Sequence, residues 1–174
     1  MTVPDEQQVT EQIEGVVSFL KDHDLVLAVA ESCTGGLTSS LLAAISGCGQ
    51  VLDRGYVVYT PEAKQDCLGV CSETIEQYGL TSAEVAQEMA LGCLHNSRAT
   101  VAISNTGLAE ADSDMDGVVY FGWATRVAGV EVAVTDRVKF PGERNEVRAA
   151  AAHYGLLQLP LRLEQFWQET HLSD

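Results

Sequence analysis

Three sets of residues carry chemistry by their type and spacing: Ser32 within Ala30-Glu31-Ser32-Cys33-Thr34-Gly35-Gly36, the stretch Tyr59-Thr60-Pro61-Glu62-Ala63-Lys64, and the basic residues Arg137, Lys139, Arg144 and Arg148. A serine attacks a carbonyl only when a base takes its proton. No histidine is well placed to act as that base, since His23 precedes a strand, His95 ends a helix, and His153 and His171 fall on a C-terminal helical segment. Lys64 remains as the candidate base, as in Ser–Lys hydrolases, with Tyr59 as a hydroxyl that relays a proton. A lysine serves as a base near neutral pH only if its pKa falls by roughly 2 to 3 from about 10.4. Burial or a nearby cation must supply that shift, and Arg54 is the nearest cation in sequence. The basic set suits an anion, because guanidinium groups match phosphate and carboxylate geometry.

Each of these residues also has a plain structural reading. Ser32 is of a type favoured as a helix N-cap, Lys64 as a solvated helix lysine, and Tyr59 as a core residue at a strand end; the basic set can pair with surface acids. Against the N-cap reading, a capping box places Glu or Gln three residues on, and Gly35 stands there.

The elements that position these residues follow from hydrophobic periodicity. Val9, Ile13, Val16, Val17 and Leu20 recur at helical spacing, and the apolar run Leu25 to Ala30 predicts a strand covered on both faces. Small residues then turn the chain into a helix marked by Leu37, Leu41, Leu42 and Ile45, which ends at Ser46-Gly47-Cys48-Gly49 with a left-handed glycine cap. Val51 to Tyr59 predicts a second strand, and Pro61 opens a helix to Leu68. Ser72 to Tyr78 reads as a short helix. Thr81 with Glu84 forms a capping-box pattern that opens a helix to about Asn96, with Ala83, Ala86, Met89, Ala90 and Cys93 on its buried face.

Ala99 to Ser104 predicts a third strand, followed by a polar segment from Asn105 to Asp116. Two strands, Gly117 to Val127 and Val130 to Phe140, form a hairpin over Ala128-Gly129. From Glu143 to about His171 the pattern is helical, interrupted at Pro160. Strands interleaved with helices, plus one hairpin, predict a three-layer α/β/α sandwich with a mixed, mainly parallel sheet of about five strands. The length of 174 residues suits a single domain spanning 1–174.

Ten Lys and Arg against 25 Asp and Glu give a formal charge of −15, which opposes nucleic acid and anionic membranes. No apolar run approaches a membrane span, and the N-terminus has neither a basic nor an apolar leader region. A cytoplasmic protein is the expectation. Five cysteines without a C-x-x-C pair predict reduced thiols, no disulfide and no structural metal. Alanine-rich helix faces are compatible with a homo-oligomer.

The motifs Ala30 to Gly36, Asp53-Arg54-Gly55-Tyr56-Val57-Val58-Tyr59 through Lys64, Leu68-Gly69-Val70, and Phe140-Pro141-Gly142-Glu143-Arg144 with Val147-Arg148 resemble those of the CinA C-terminal domain family, over about residues 6 to 165. The resemblance implies deamidation of nicotinamide mononucleotide to nicotinic acid mononucleotide and ammonia, on a small-molecule substrate and without a metal or other cofactor. It maps the nucleophile to Ser32, the base to Lys64 and an assisting hydroxyl to Tyr59. Thr34, Gly35 and Gly36 would lend backbone amides to substrate or oxyanion, Arg54, Arg144 or Arg148 would take the phosphate, and Ser104 would also face the substrate.

One stretch departs from the family pattern. After the strand ending at Ser104 the family has a glycine-rich loop of the type G-I-A-G-P-x-G-G, whereas this chain has Asn105 to Gly117 with four carboxylates, Glu110, Asp112, Asp114 and Asp116. Their alternation resembles a calcium loop, yet the terminal bidentate Glu and the loop spacing are missing. The acids would repel a phosphate unless they turn to water. A different or unphosphorylated amide, or a ligand-binding protein without activity, therefore stands beside the amidase reading.

Overall fold

The computed structural model describes residues 6–171, so the leader reading, which falls on positions 1–5, lies outside the described residues. In chain order the elements are α1 (Glu6–Asp22), β1 (Leu27–Glu31), α2 (Leu37–Ala43), a single 3₁₀ turn (Cys48–Gln50), β2 (Leu52–Val57), α3 (Pro61–Leu68), α4 (Ser72–Tyr78), α5 (Ala83–His95), β3 (Val101–Leu108), β4 (Val118–Val127), β5 (Val130–Lys139) and α6 (Arg144–His171). The strands form one sheet in the order β2-β1-β3-β4-β5. β1 pairs in parallel with β2 and with β3, and β3, β4 and β5 pair antiparallel, so only β4 runs against the other four. This is the mixed α/β/α sandwich expected from the pattern.

Each face of the sheet buries its own core. Leu27 and Val29 of β1 and Val101 and Ile103 of β3 pack with Ile13, Val16, Val17 and Leu20 of α1 and with Val147, Leu156 and Leu159 of α6. The opposite face presents Ala28, Ala30 and Ala102 to Val85, Met89, Ala90 and Cys93 of α5 and to Leu68 of α3. Small side chains on that face let α5 lie close to the strands. β1, the central parallel strand, is buried along its whole length, which explains its unbroken apolar run. Its neighbours are connected on opposite faces, so a crevice opens beyond its C-terminal end.

Several local expectations are corrected. α5 is capped by Ser82, whose hydroxyl accepts from Val85 N, rather than by Thr81, and Val85 joins its buried face. α2 ends at Ala44 in a right-handed conformation; the left-handed Gly47 comes later and starts the 3₁₀ turn. The segment predicted as a polar loop from Asn105 is still strand as far as Leu108, so the acidic loop proper spans 109–117. Pro160 stands inside α6 without ending it. The hairpin turn places Ala128 and Gly129 both at positive φ, the pair of angles that a tight two-residue connection needs.

The placement of α3 depends on a glycine in its neighbour. A Cβ built on Gly92 of α5 would meet the carbonyl group of Leu68, the last residue of α3, at closer than any real contact. In an open helix Gly→Ala stabilises by about 1 kcal/mol. At this position the added methyl collides with backbone, which cannot swing aside as a side chain would. Gly92→Ala is therefore expected to lower stability by about 1 to 3 kcal/mol, the range for overpacked sites. Urea unfolding measures it, and an unchanged or raised midpoint would refute the packing argument.

Candidate active site

Ser32 follows directly on β1, held between the continuations of the two strands that flank it. Its N–H donates to the carbonyl of Asn105 on β3 (3.0 Å), and on the other side Val58 N–H donates to the carbonyl of Glu31 (2.8 Å). The sheet ladder thus extends past the strand ends and grips the turn from both sides. The next residues leave the sheet through Gly35 and Gly36, both at positive φ in the left-handed region that favours glycine.

The turn is fixed from within by Glu31. Its carboxylate, fully buried, accepts five hydrogen bonds: from Thr34 Oγ1 (2.6 Å), Gly36 N (2.9 Å) and Thr38 N (3.0 Å) on Oε2, and from Ser39 N (2.9 Å) and Ser39 Oγ (2.6 Å) on Oε1. A carboxylate at the start of a helix satisfies amides that have no partner inside it and interacts favourably with the helix dipole. Ser32 is consequently not the N-cap of α2. That position belongs to Gly36, which has no capping side chain, and Glu31 supplies the acceptor from behind.

The hydroxyl of Ser32 is left to Lys64. Lys64 Nζ lies 2.8 Å from Ser32 Oγ and 2.9 Å from the carbonyl of Val58, and its side chain is fully buried. α3 holds it through ordinary local chemistry: Thr60 caps the helix by accepting from Ala63 N, Pro61 sits in the first turn, and Gly69 closes it in the left-handed conformation. In the closing motif Val70 N–H donates to the carbonyl of Lys64 itself (3.3 Å). Burial pushes the Lys64 ammonium down from 10.5 to about 8. Arg54 has no part in that shift. It sits near the N-terminal end of β2, paired with Asp53 and the Asn96 carbonyl, at the end of the sheet away from Ser32.

Cys33, beside Ser32, is buried too, and desolvation raises its thiol to about 12, which keeps it protonated. Two adjacent nucleophiles by residue type thus reduce to one by environment. Tyr59 is half-exposed, and its hydroxyl lies over Gly35, where a built Cβ would approach it to 2.9 Å. It makes no hydrogen bond to Ser32 or Lys64 among the described residues, so the relay geometry is not formed in this state.

The remaining candidates divide. Arg148 reaches the turn from α6, donating from Nε to the Cys33 carbonyl (3.0 Å), from one terminal nitrogen to the Thr34 carbonyl (3.1 Å) and from the other to Asn145 Oδ1 (3.0 Å). Arg144 is exposed at the start of α6 and lines a shallow cleft of about 490 Å³ with Ala109, Glu110, Asp116, Glu143 and Asn145 among others. Ser104 does not face this region: it is buried against α5 and donates to the Ala86 carbonyl.

The amides expected to serve a ligand are largely used within the protein. Thr34 N reaches Asn105 Oδ1 (3.4 Å), Gly35 N the Ser32 carbonyl (3.2 Å) and Gly36 N the Glu31 carboxylate. The Cys33 N–H, one residue past the serine, makes no backbone hydrogen bond in the turn and lies toward its own sulfur. Arg137 and Lys139 are engaged away from the turn, with the Tyr120 hydroxyl and the Asp114 carbonyl. The described residues contain no cluster of His, Cys, Asp or Glu able to hold a metal ion.

Glu31 and Asn105 are the important residues that the sequence reading did not single out. Asn105 lies opposite Glu31 in the β1–β3 ladder and turns Oδ1 to the Ser32 and Thr34 amides and the Thr34 hydroxyl. A signal existed for Glu31, since a carboxylate closing an apolar central strand must find donors in the turn that follows.

Comparison with known proteins gives a consistent picture. The sequence profile of the CinA C-terminal domain matches residues 9–163. The chain is 41% identical over 141 residues to the nicotinamide-nucleotide amidohydrolase PncC of Enterobacter agglomerans, covering 79% of this chain and 84% of that one. Identity to PncC of Escherichia coli K12 is 37% over 98% of this chain and all of that protein. A CinA-like protein of Chlorobium phaeobacteroides is 42% identical over 80% of this chain, which spans only 34% of that longer protein. Among solved structures, competence damage-inducible protein A of Klebsiella pneumoniae superposes with a TM-score of 0.82 at 32% identity, over 90% of this chain and 97% of that one.

A buried lysine without a carboxylate partner costs stability, and the sign can be tested. Below about 8 the amine is protonated in folded and unfolded chains alike, and the folded state bears the full penalty. The drop from 10.5 to about 8 corresponds to about 3 kcal/mol at ~1.4 kcal/mol per tenfold change in proton affinity. Between 8 and 10.5 the unfolded chain binds more protons, so stability rises with pH and the penalty disappears. Lys64→Met, which keeps the length but leaves the Val58 carbonyl unpaired, is expected to be more stable than the natural protein at pH 7 by about 1 to 2 kcal/mol. Its advantage should shrink as pH is raised toward 10. Urea unfolding of both proteins across that range measures the difference, and a variant less stable at pH 7 would contradict it.

Proposed function

The chain belongs to the CinA C-terminal domain family, and from that premise we propose that it is an amidohydrolase converting nicotinamide mononucleotide to nicotinic acid mononucleotide and ammonia. The observation that carries the reading is the 2.8 Å contact between Ser32 Oγ and a fully buried lysine amine. With a pKa of about 8, about one Lys64 in ten is neutral at pH 7, against roughly one in three thousand for an ordinary lysine. In that neutral form one N–H donates to the Val58 carbonyl, which aims the lone pair at Ser32.

The chemistry follows as acyl transfer. Lys64 takes the proton of Ser32 as Oγ bonds to the carboxamide carbon, and the carbonyl π pair moves onto oxygen. The Cys33 N–H faces that charge as an oxyanion donor. Collapse of the intermediate returns the proton to the leaving nitrogen and releases ammonia, with Tyr59, at the open lip of the turn, assisting the departing group. Water then adds to the ester, losing its proton to Lys64, and its collapse frees the carboxylic acid and Ser32. All groups come from the chain, and no cofactor enters. We read the chain as one domain acting in the cytoplasm on a small molecule.

The cleft beside the turn favours a second substrate reading. Glu110, Asp116, Glu143 and Glu146 line it with Arg144 as the single cation. Arg148, next to it, is committed to the turn carbonyls. Four carboxylates oppose a phosphate, whereas the pyridinium ring of a nicotinamide nucleoside is itself cationic. The unphosphorylated nucleoside is therefore the alternative substrate.

Ammonia release from nicotinamide mononucleotide and from nicotinamide riboside, measured side by side, tests both readings. Ser32→Ala is expected to reduce release to background while remaining folded. A wild-type protein that releases no ammonia from either compound would overturn the amidase assignment. The rate is also expected to rise about tenfold per pH unit below 8 and to level off above it, because the active form is the neutral amine. A flat profile between pH 6 and 9 would remove Lys64 as the base.

A further inference from the structure

The two oxygens of Glu31 are served by different parts of the chain. Oε2 takes the Thr34 hydroxyl and the Gly36 and Thr38 amides, whereas both donors to Oε1, an amide at 2.9 Å and a hydroxyl at 2.6 Å, come from Ser39 alone. Ser39 lies in α2, and its hydroxyl occupies a space that β2 leaves open. A Cβ built on Gly55 would overlap the Ser39 hydroxyl and stand 3.2 Å from the Ser39 Cβ; apart from its chain neighbours, no other described atom lies within 4 Å of it. Gly55 pairs with Val29 in the β1–β2 ladder, two residues before Val57, the partner of Glu31. Its φ is outside the left-handed region, so the backbone accepts any side chain here. A glycine inside a strand weakens it and marks a place where another group comes close to the backbone. Here that group is a hydroxyl tied to the carboxylate beside the serine.

We propose that Ser39 and Gly55 are positioning residues for the reaction: the notch at Gly55 seats Ser39 so that it holds Glu31, and Glu31 holds the turn that sets Ser32 Oγ against Lys64. The inference rests on the reading of Ser32 as the nucleophile of an amidase. Neither residue touches the reacting atoms, yet the route from them to the serine is continuous. The terminal torsion of a glutamate has only a broad preference of its own, so contacts at both oxygens are what fix the carboxylate. With Oε1 held by Ser39, Oε2 is directed at Thr34 and Gly36, which flank Gly35, and Gly35 N–H closes the turn onto the Ser32 carbonyl (3.2 Å). A carboxylate gripped at one oxygen can swing, and the turn swings with it. Misplacement by about 1 Å, caused by a change away from the chemistry, can cost about 10²-fold in rate.

Three variants separate this role from a structural one. α2 packs on the sheet face of Leu27 and Val29 and α3 on the face of Ala28 and Ala30, so changes at 39 and 55 stay outside the packing around α3. Gly55→Ala pushes the hydroxyl from its seat, and Ser39→Ala deletes it. Each is expected to lower kcat by about 10- to 100-fold with KM changed less than about threefold, while the midpoint of the pH–rate profile stays at about 8. The double variant is expected to match Ser39→Ala within about threefold, because the methyl group at 55 has no hydroxyl left to displace; independent effects would multiply. Either single variant, folded by circular dichroism, that retains wild-type kcat overturns the proposal even if its urea midpoint falls. So does a double variant that loses the product of the two. A displaced pH midpoint would mean that the changes act on Lys64 rather than on the place of the serine, and it too would overturn the proposal.

A measurement independent of the natural substrate uses phenylmethylsulfonyl fluoride. Ser32 Oγ bonds to sulfur, fluoride leaves and the serine proton passes to Lys64, so the intact mass reports the labelling directly. Wild type is expected to be labelled at Ser32, Ser32→Ala not at all, and Gly55→Ala and Ser39→Ala at rates at least about tenfold lower than wild type. If wild type is labelled yet releases no ammonia from the nucleotide or nucleoside, the substrate reading fails while Ser39 and Gly55 are still judged by the labelling rates. Equal rates in wild type and both variants overturn the proposal, and a wild type that is neither labelled nor active overturns it together with the nucleophile assignment.

Discussion

A carboxylate buried at the end of the central strand is the constraint from which the site follows. Glu31 cannot leave the core, because it is the last residue of a strand flanked on both sides, and a buried carboxylate is tolerated only with its acceptor sites filled. Five donors from residues 34 to 39 fill them. Wrapping so many donors around one group requires the chain to reverse within a few residues, and Gly35 and Gly36 adopt the left-handed angles that allow it. The serine at the apex is then presented by a turn that has no freedom to relax. Because Glu31 satisfies the helix amides, the serine hydroxyl is released from the capping role its residue type suggests.

The proposed base is made by the opposite arrangement, a charged group with nothing opposite in sign beside it. The chain carries 25 acids, and a lysine paired with any of them would stay protonated. None contributes to the Lys64 shift, which comes first from burial. Glu31, the nearest buried acid in the turn, has both oxygens engaged by other donors. One carboxylate enclosed by amide and hydroxyl donors and one buried amine held by Ser32 and the Val58 carbonyl therefore have separate partners. The instability this stores in Lys64 is borne by the core that packs α3 against α5, above all the close backbone contact between Gly92 and Leu68.

Much of this was legible from the chain. Apolar periodicity located the helices and strands, and the Ser32 and Lys64 stretches stood out because each joins a strand end to a helix start. Legibility failed where polar residues occupy buried strand. Asn105 and Thr106 read as loop by composition, yet they continue β3 because their side chains have interior partners, the Ser32 turn and the Leu80 carbonyl. Arg54 and Ser104 failed for a different reason. Sequence distance does not state which end or face of a sheet a residue occupies, although parallel pairing puts the start of β2 away from the end of β1, which was a usable sign against Arg54.

Arg148 shows how a residue can sit at the site and still not be free for the ligand. By binding the Cys33 and Thr34 carbonyls it fixes two consecutive peptide planes from outside. The amides of the same planes, Thr34 N and Gly35 N, are fixed from inside by Asn105 Oδ1 and by the Ser32 carbonyl. Peptide planarity makes these four contacts one restraint. A guanidinium used in this way has given its best-directed donors to the turn, and it adds positive charge beside the serine without offering a bidentate face to a phosphate. The acidic cleft at the start of α6 then has Arg144 alone to set against four carboxylates. Rigidity of the turn that holds Ser32 and recognition of an anionic tail thus compete for the same few cations in a strongly acidic chain, and the geometry resolves that competition in favour of the turn.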